Sequence, residues 1–193
     1  QMLCITVVVK SPLAQPATLS LFSSLATANL LRDYYGLDCR IKWPNDLLIG
    51  GKKVVGILCE GIPEVHAWLC GIGINLAQPQ RYFDDLDLPH ATSLALAGAK
   101  VDLEADPERL AGALTDFGFD RALYHYETDG FAVCREEYKA RCINLGRHVT
   151  YDGGAGQAVD IDEEGNLVVQ EDGSGLRRVF TGEVSVQGIY GAL

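Results

Sequence analysis

Arg40-Ile41-Lys42-Trp43-Pro44-Asn45-Asp46-Leu47-Leu48-Ile49-Gly50-Gly51-Lys52-Lys53-Val54-Val55-Gly56-Ile57-Leu58-Cys59-Glu60 is the stretch on which the fold turns. Arg40 to Trp43 reads as a strand. Pro44-Asn45-Asp46 interrupts it, because proline lacks a donor and Asn and Asp favour turns. Leu47 to Ile49 resumes the strand, and Gly50-Gly51 turns the chain back. Val54 to Glu60 and, beyond it, Ala67 to Ile74 are two further apolar strands. Strand, turn and strand in such close succession predict an antiparallel run.

Upstream, Leu3 to Lys10 is β-branched, short and bounded by Ser11-Pro12, which predicts a buried strand. From Ala17 to Tyr35, Leu19, Phe22, Leu25, Ala26, Leu30 and Leu31 follow helical spacing, and Gly36 supplies the stop. Downstream, Leu76 to His90 carries Pro79, Pro89 and the acidic cluster Asp84, Asp85 and Asp87 without a period, so a loop is expected, either lying near whatever the sheet binds or serving as a plain surface connection. Pro107 to Tyr126 and Gly130 to Cys142 read as helices, the first with Asp106 as N-cap. Past Asn144-Leu145-Gly146 the pattern changes to short β segments at Val149–Tyr151, Gln157–Ile161, Leu167–Gln170, Arg177–Phe180 and Val184–Ile189, split by glycine-rich turns. The expected architecture is α+β. A mixed, largely antiparallel sheet with helices on one face occupies residues 1–143, and a small SH3-like β-barrel occupies residues 144–193.

The chain has 193 residues, 48% of them apolar, enough for a substantial core. A net charge of −10 sets its field against phosphate backbones and anionic lipid, so neither nucleic acid nor membrane is an expected partner. No apolar run reaches the length of a bilayer span and residues 1–10 lack a signal-peptide pattern, which makes the cytoplasm the expected location. The six cysteines show no Cys-x-x-Cys spacing and read as reduced core residues. The four histidines are scattered, and no metal site is expected from them.

An apolar sheet carrying Lys42, Lys52, Lys53 and Asp46 near its strand ends needs anionic partners for its lysines, since burying an unpaired ammonium is costly. A carboxylate and a phosphate would serve. Gly56, Gly71 and Gly73 lack side chains where strands normally fill space, which lets a flat ligand or another backbone approach. Asn75 offers a donor and an acceptor at a strand end. Each feature alone fits a solvated edge charge, a bulge or a turn, and Trp43 beside Pro44 reads as core packing.

Taken together, Lys42-Trp43-Pro44-Asn45-Asp46, Gly51-Lys52-Lys53-Val54-Val55-Gly56-Ile57-Leu58-Cys59-Glu60 and Gly71-Ile72-Gly73-Ile74-Asn75 resemble the biotin protein ligase family. Ala91-Thr92-Ser93-Leu94 and Phe180-Thr181-Gly182-Glu183-Val184-Ser185 extend the likeness over nearly the whole chain. The resemblance implies a class II synthetase-like fold and a two-step ligation. Biotin and ATP form biotinoyl-adenylate, and a lysine of a biotin carboxyl carrier protein domain then takes the acyl group. It implies Lys53, Asp46 and Lys42 as catalytic residues: Lys53 between carboxylate and α-phosphate, Asp46 toward the incoming amine or Mg2+, Lys42 positioning an anion. It places Lys53, Gly56, Leu58 and Gly71 around biotin, and Asn45, Gly73 and Asn75 toward the adenylate. Lys52 points away from Lys53 if the segment is extended. No residue is expected to be a dedicated metal ligand, and a homodimer is compatible with the family.

The family's Gly-Arg-Gly-Arg-x-Gly-Arg loop is not found here, nor are the strands preceding it. The expectation is a sequence truncated just past that loop and inactive as it stands. A non-catalytic remnant binding nucleotide or a carrier domain, and a lipoate-type ligase relative, are the alternatives.

Overall fold

The computed structural model describes residues 1–10, 12–180 and 182–189. Its first sheet contains β1 (Met2–Val9), β2 (Arg40–Lys42), β3 (Asp46–Ile49), β4 (Lys52–Ile62) and β5 (Ala67–Asn75), in the order β1-β5-β4-β3-β2. Every pairing between these strands is antiparallel, so the expected mixed character is corrected. The expected run of neighbours from β2 to β5 is present. Gly50 and Gly51, with φ of 57° and 77°, make the tight reversal between β3 and β4 that a side chain would strain.

One face of this sheet is apolar. Ile5, Ile72 and Ile57 oppose one another across β1, β5 and β4, and Leu3, Ile74, Val55, Leu47 and Ile41 form the adjoining row through β2. Against it packs α1 (Leu19–Tyr35), ended by Gly36 at φ 69°. This helix buries 11 of its 17 residues, including Ser23, Ser24 and Thr27. Their hydroxyls donate to the carbonyls four residues back, at 2.7, 2.7 and 2.8 Å, which removes the cost of burying them. Phe22 of α1 stacks on Tyr126, with centroids 4.6 Å apart.

The region expected to be a plain loop contains a short helix, α2 (Gln80–Asp85), anchored by buried Phe83. Six residues are too few to display a helical period. The expected helix from Pro107 to Tyr126 is α3 (Asp106–Ala113), a π-helical segment (Leu114–Phe119) and α4 (Asp120–Asp129). Asp106 is not its N-cap. It is buried inside the first turn and accepts from the Asp102 amide at 2.8 Å and the Tyr35 hydroxyl at 2.7 Å, while Asp102 caps the amides of Glu104 and Ala105. The expected helix at Gly130 to Cys142 is shorter, α5 (Arg135–Arg141), after a 3-10 turn.

A second antiparallel sheet follows: β6 (His148–Tyr151), β7 (Gly154–Ile161), β8 (Leu167–Glu171), β9 (Leu176–Val179) and β10 (Ser185–Val186), in the order β10-β6-β7-β8-β9. Residue Thr181 and positions 190–193, part of the expected last unit, lie outside the described residues. Both sheets contribute to one continuous apolar cluster. They are also joined by polar bonds. The Ile143 amide donates to the Ile41 carbonyl at 2.8 Å, the Trp43 indole N–H to the Gly165 carbonyl at 3.0 Å, and the Trp43 amide to Asn144 Oδ1 at 2.8 Å. Trp43 is thus a buried structural residue. Asn144→Ala would strand that buried amide, with an expected loss of about 2 kcal/mol. The measurement is a denaturant melt, and an unchanged midpoint would show that water replaces the bond.

The cysteines divide by environment. Cys39, Cys70 and Cys142 are buried as expected, Cys59 and Cys134 are half-buried, and Cys4 is exposed on the sheet's open face, against the expectation of a core position. Among the described residues no helix is long and apolar enough to cross a membrane.

Candidate active site

The sheet's other face carries the polar motif. Register places Lys42 opposite Asp46, Asp46 opposite Gly56, Gly56 opposite Gly73, and Gly73 opposite Cys4, one row running across all five strands. The next row is Leu58, Gly71 and Thr6. Above them opens a groove of about 810 Å³ lined by these residues, by Asn45 and Lys53, and by Gly182, Glu183 and Val184 between β9 and β10 of the second sheet. Glycines at the centre of the row keep its floor low. An added Cβ at Gly71 or Gly73 would meet only the carbonyls of Leu58 at 3.6 Å and Gly56 at 3.8 Å, ordinary contacts. Their bareness is therefore open space and not a packing need.

Lys53 reaches this face through an irregularity. Leu47 pairs with Val55 but Leu48 pairs with Lys53, so Val54 is an extra residue in β4. A bulge of this kind reverses the facing of everything beyond it. Strict alternation from Gly56 would send Lys53 into the core; the bulge turns it onto the groove side, and puts Lys52 on the opposite side. There the Lys53 ammonium lies 2.5 Å from Asp46 Oδ1. Its chain crosses above Gly56, where a Cβ would come within 3.1 Å of Cε and 3.2 Å of Nζ. Gly56 thus makes room for Lys53 as well as for a ligand. The Lys53 backbone is fixed too: its amide donates to the His90 carbonyl, and its carbonyl accepts from the Thr92 amide, both at 2.8 Å.

Lys42 is buried beside Asp46. Burial pushes its ammonium below the ordinary lysine range, an effect that Asp46 and Glu183 oppose and Lys53 reinforces. Its charged form is accordingly disfavoured by the fold, and its contribution to stability improves as pH rises through that lowered value toward the ordinary one. Such a site favours an added anion.

The two asparagines sit differently. Asn45 Nδ2 donates to the Ile57 carbonyl, and the Asn45 carbonyl accepts from the Ile57 amide at 3.2 Å, tying the turn to β4. The Tyr138 hydroxyl holds the same turn through the Pro44 carbonyl at 2.8 Å. Asn75 donates to the Thr92 carbonyl and accepts from Gln78 Nε2, each at 2.9 Å, bracing the segment that carries Lys53's backbone partners. It is not among the residues lining the groove. Lys42, Asp46, Lys53, Gly56, Leu58, Gly71, Gly73 and Asn45 are brought together there. Glu183, Cys4 and Thr6 join them without having been singled out as site residues from the sequence. Only Glu183 had a signal, its place in the Phe180–Ser185 motif.

Comparison with known proteins gives a consistent answer. Residues 1–75 match the model described as the Biotin/lipoate A/B protein ligase family, and residues 145–187 that of the Biotin protein ligase C terminal domain. The bifunctional ligase/repressor BirA of Bacillus subtilis is 31% identical over 183 residues, covering 91% of this chain and 54% of that protein. The biotin–[acetyl-CoA-carboxylase] ligase of Paracoccus denitrificans is 34% identical over 161 residues, covering 76% and 65%. The chain thus spans between about half and two thirds of the length of these relatives. Among solved structures, the apo biotin protein ligase of Aquifex aeolicus superposes with a TM-score of 0.78 at 22% identity, covering 96% of this chain and 83% of that one. The same ligase in complex with biotin and ATP gives 0.74 at 21%, with 96% and 78% covered. These two likenesses establish the fold.

Proposed function

The chain belongs to the biotin protein ligase family, and from that premise we propose that it supplies the groove in which biotin is activated by ATP and passed to a lysine of a carrier protein. The observation that carries this reading is Lys53, held by Asp46 above a floor of glycines in an open, partly apolar groove. A ligand lying on Gly71 and Gly73 beside exposed Leu58 would have an apolar wall and backbone beneath it, which suits the biotin ring. Its carboxylate would then reach the Lys53 ammonium, with the α-phosphate on the other side. As the carboxylate oxygen attacks phosphorus and pyrophosphate departs, negative charge gathers on the phosphoryl oxygens, and a preorganised cation stabilises it.

Asp46 keeps Lys53 aimed before substrate arrives and is the nearest carboxylate to the site where a carrier lysine would attack. Lys42 would anchor a second anion. Asn45 and Asn75 are read as residues that shape the adenylate side by holding its two loops, with Gly73 between them. Among the described residues, no group of three or more His, Cys, Asp or Glu side chains gathers to hold a metal. The groove offers Asp46 and Glu183, a donor set that fits Mg2+ arriving on the phosphates of ATP with most of its waters, where it would offset phosphate charge. We further read residues 1–143 as the catalytic unit and 144–193 as an SH3-like unit whose Glu183 segment closes one side of the groove. A carrier domain is the proposed partner, with a second copy of the chain and a cytoplasmic location also in keeping with the family.

The test is ATP- and biotin-dependent pyrophosphate release by the natural protein, together with biotin incorporation into a carrier domain. Release that is indifferent to biotin would sink the reading. Gly71→Ala provides a finer check. Because an added methyl fits sterically but occupies the floor, the expected result is an unchanged Tm with a KM for biotin raised about 10-fold, the equivalent of about 1.4 kcal/mol of binding. An unaltered KM would place biotin elsewhere.

A further inference from the structure

On the core side of the sheet, Cys59 of β4 and Cys70 of β5 stand directly opposite each other. Their Sγ atoms are 3.3 Å apart, with the Cys59 thiol donating to Cys70. Ser23 Oγ of α1 lies 3.8 Å from the first and 3.6 Å from the second. Both thiols are free. Directly opposed residues of an antiparallel pair have Cα atoms about 4.5 to 5.5 Å apart. That spacing falls inside the span of about 4.4 to 6.8 Å that a disulfide needs, so bonding requires side-chain rotation and not a shift of strands. The pair is also reachable from one side, since Cys59 is only half-buried whereas Cys70 is fully enclosed.

We propose that Cys59 and Cys70 form a redox-modification site, converted to an intramolecular disulfide by a small hydroperoxide. Neither residue takes part in the groove chemistry, so this site is independent of the proposed function. The hydrogen bond from Cys59 lowers the hold of Cys70 on its own proton, and the same bond raises the hold of Cys59. The two sulfurs therefore behave as one acid whose remaining proton lies between them. As the more accessible Cys59 sulfur attacks a peroxide oxygen, its proton passes along the hydrogen bond to the Cys70 sulfur, which gives up its own proton more readily; the O–O bond breaks, and hydroxide or alkoxide leaves and is protonated. The resulting sulfenic acid is attacked by Cys70 Sγ, forming S–S and breaking S–O. Water departs with the proton of Cys70. Two thiols lose two electrons and the peroxide gains them. Leu58 and Gly71, the next residues on each strand, face the groove, so the bond would lie just beneath its floor.

The experiment treats the full native chain with hydrogen peroxide, alkylates remaining thiols after denaturation, and maps peptides without reduction. The expected product joins the Cys59 and Cys70 peptides, with two titratable thiols lost per chain and Tm raised, all reversed by dithiothreitol. Cys70→Ser should halt the sequence at a Cys59 sulfenic acid that dimedone traps, whereas Cys4→Ser should leave the joined peptide unchanged. Recovery of Cys59 and Cys70 as separately alkylated peptides would overturn the proposal, as would crosslinks found only through exposed Cys4. Should Cys70→Ser fail to fold, the wild-type peptide map decides alone.

Discussion

Lys53→Ala is expected to slow biotin-dependent adenylate formation on the order of 100-fold to 1,000-fold, the usual cost of removing one preorganised donor from a developing oxyanion. An ammonium between carboxylate and phosphate is worth most when charge is greatest, so the loss should fall on kcat more than on KM. Lys53→Arg should recover little. The Lys53 chain lies above Gly56 with its Nζ on Asp46, and a planar guanidinium in that space would displace either the contact or the ligand. Lys52→Ala should be nearly silent, because the bulge places the two lysines on opposite faces. If both lysines merely decorated a solvated turn, the two alanine variants would show equal and small effects. Single-turnover measurement of adenylate in the natural protein separates the outcomes, and a near-normal Lys53→Ala rate would end the catalytic assignment.

Gly156→Ala should be the most damaging of these single changes to the second sheet. A Cβ at this position would come within 2.7 Å of the Glu171 Cα and 2.8 Å of the Gln170 carbonyl carbon, and would also strike the Gln170 carbonyl oxygen. All three are backbone atoms of β8, so no side chain can rotate away and the β7–β8 pairing itself must open. Overpacking against backbone costs about 3 kcal/mol. For a chain of this length that lowers Tm by roughly 6 to 12 °C. Gly175→Ala, which would meet nothing within 4 Å, is the matched control. Equal melting temperatures for the two variants would show that β7 and β8 are not so closely apposed.

The elements of the first sheet were legible in the sequence because they are local. Apolar runs, Pro44 and the Gly50-Gly51 pair fix where strands begin and turn, and Gly36 fixes where α1 ends. The motif residues were legible too: Lys42, Asp46, Lys53, Gly56, Leu58, Gly71 and Gly73 all line one groove. Harder to read were elements whose signal is short or ambiguous. Six-residue α2 shows no period, and Gly156 of β7 looks like a turn residue because its reason, the nearness of the β8 backbone, is not local.

Alone, the sequence determined that this is an α+β chain with an antiparallel core and a polar, glycine-rich face. Tertiary structure decided which way that face points its lysine. Period-two alternation assigns Lys53 to the core side relative to Gly56, and only the Val54 bulge, formed as β3 and β4 settle their register, turns it to Asp46. Tertiary structure likewise set β1 against β5, placed Glu183 beside Lys42, and put Cys59 in contact with Cys70. The physical reason is common to all four. Alternation and turn preference are properties of neighbouring residues, whereas a bulge, a strand order and a contact between distant segments are chosen by the packing energy of the whole sheet.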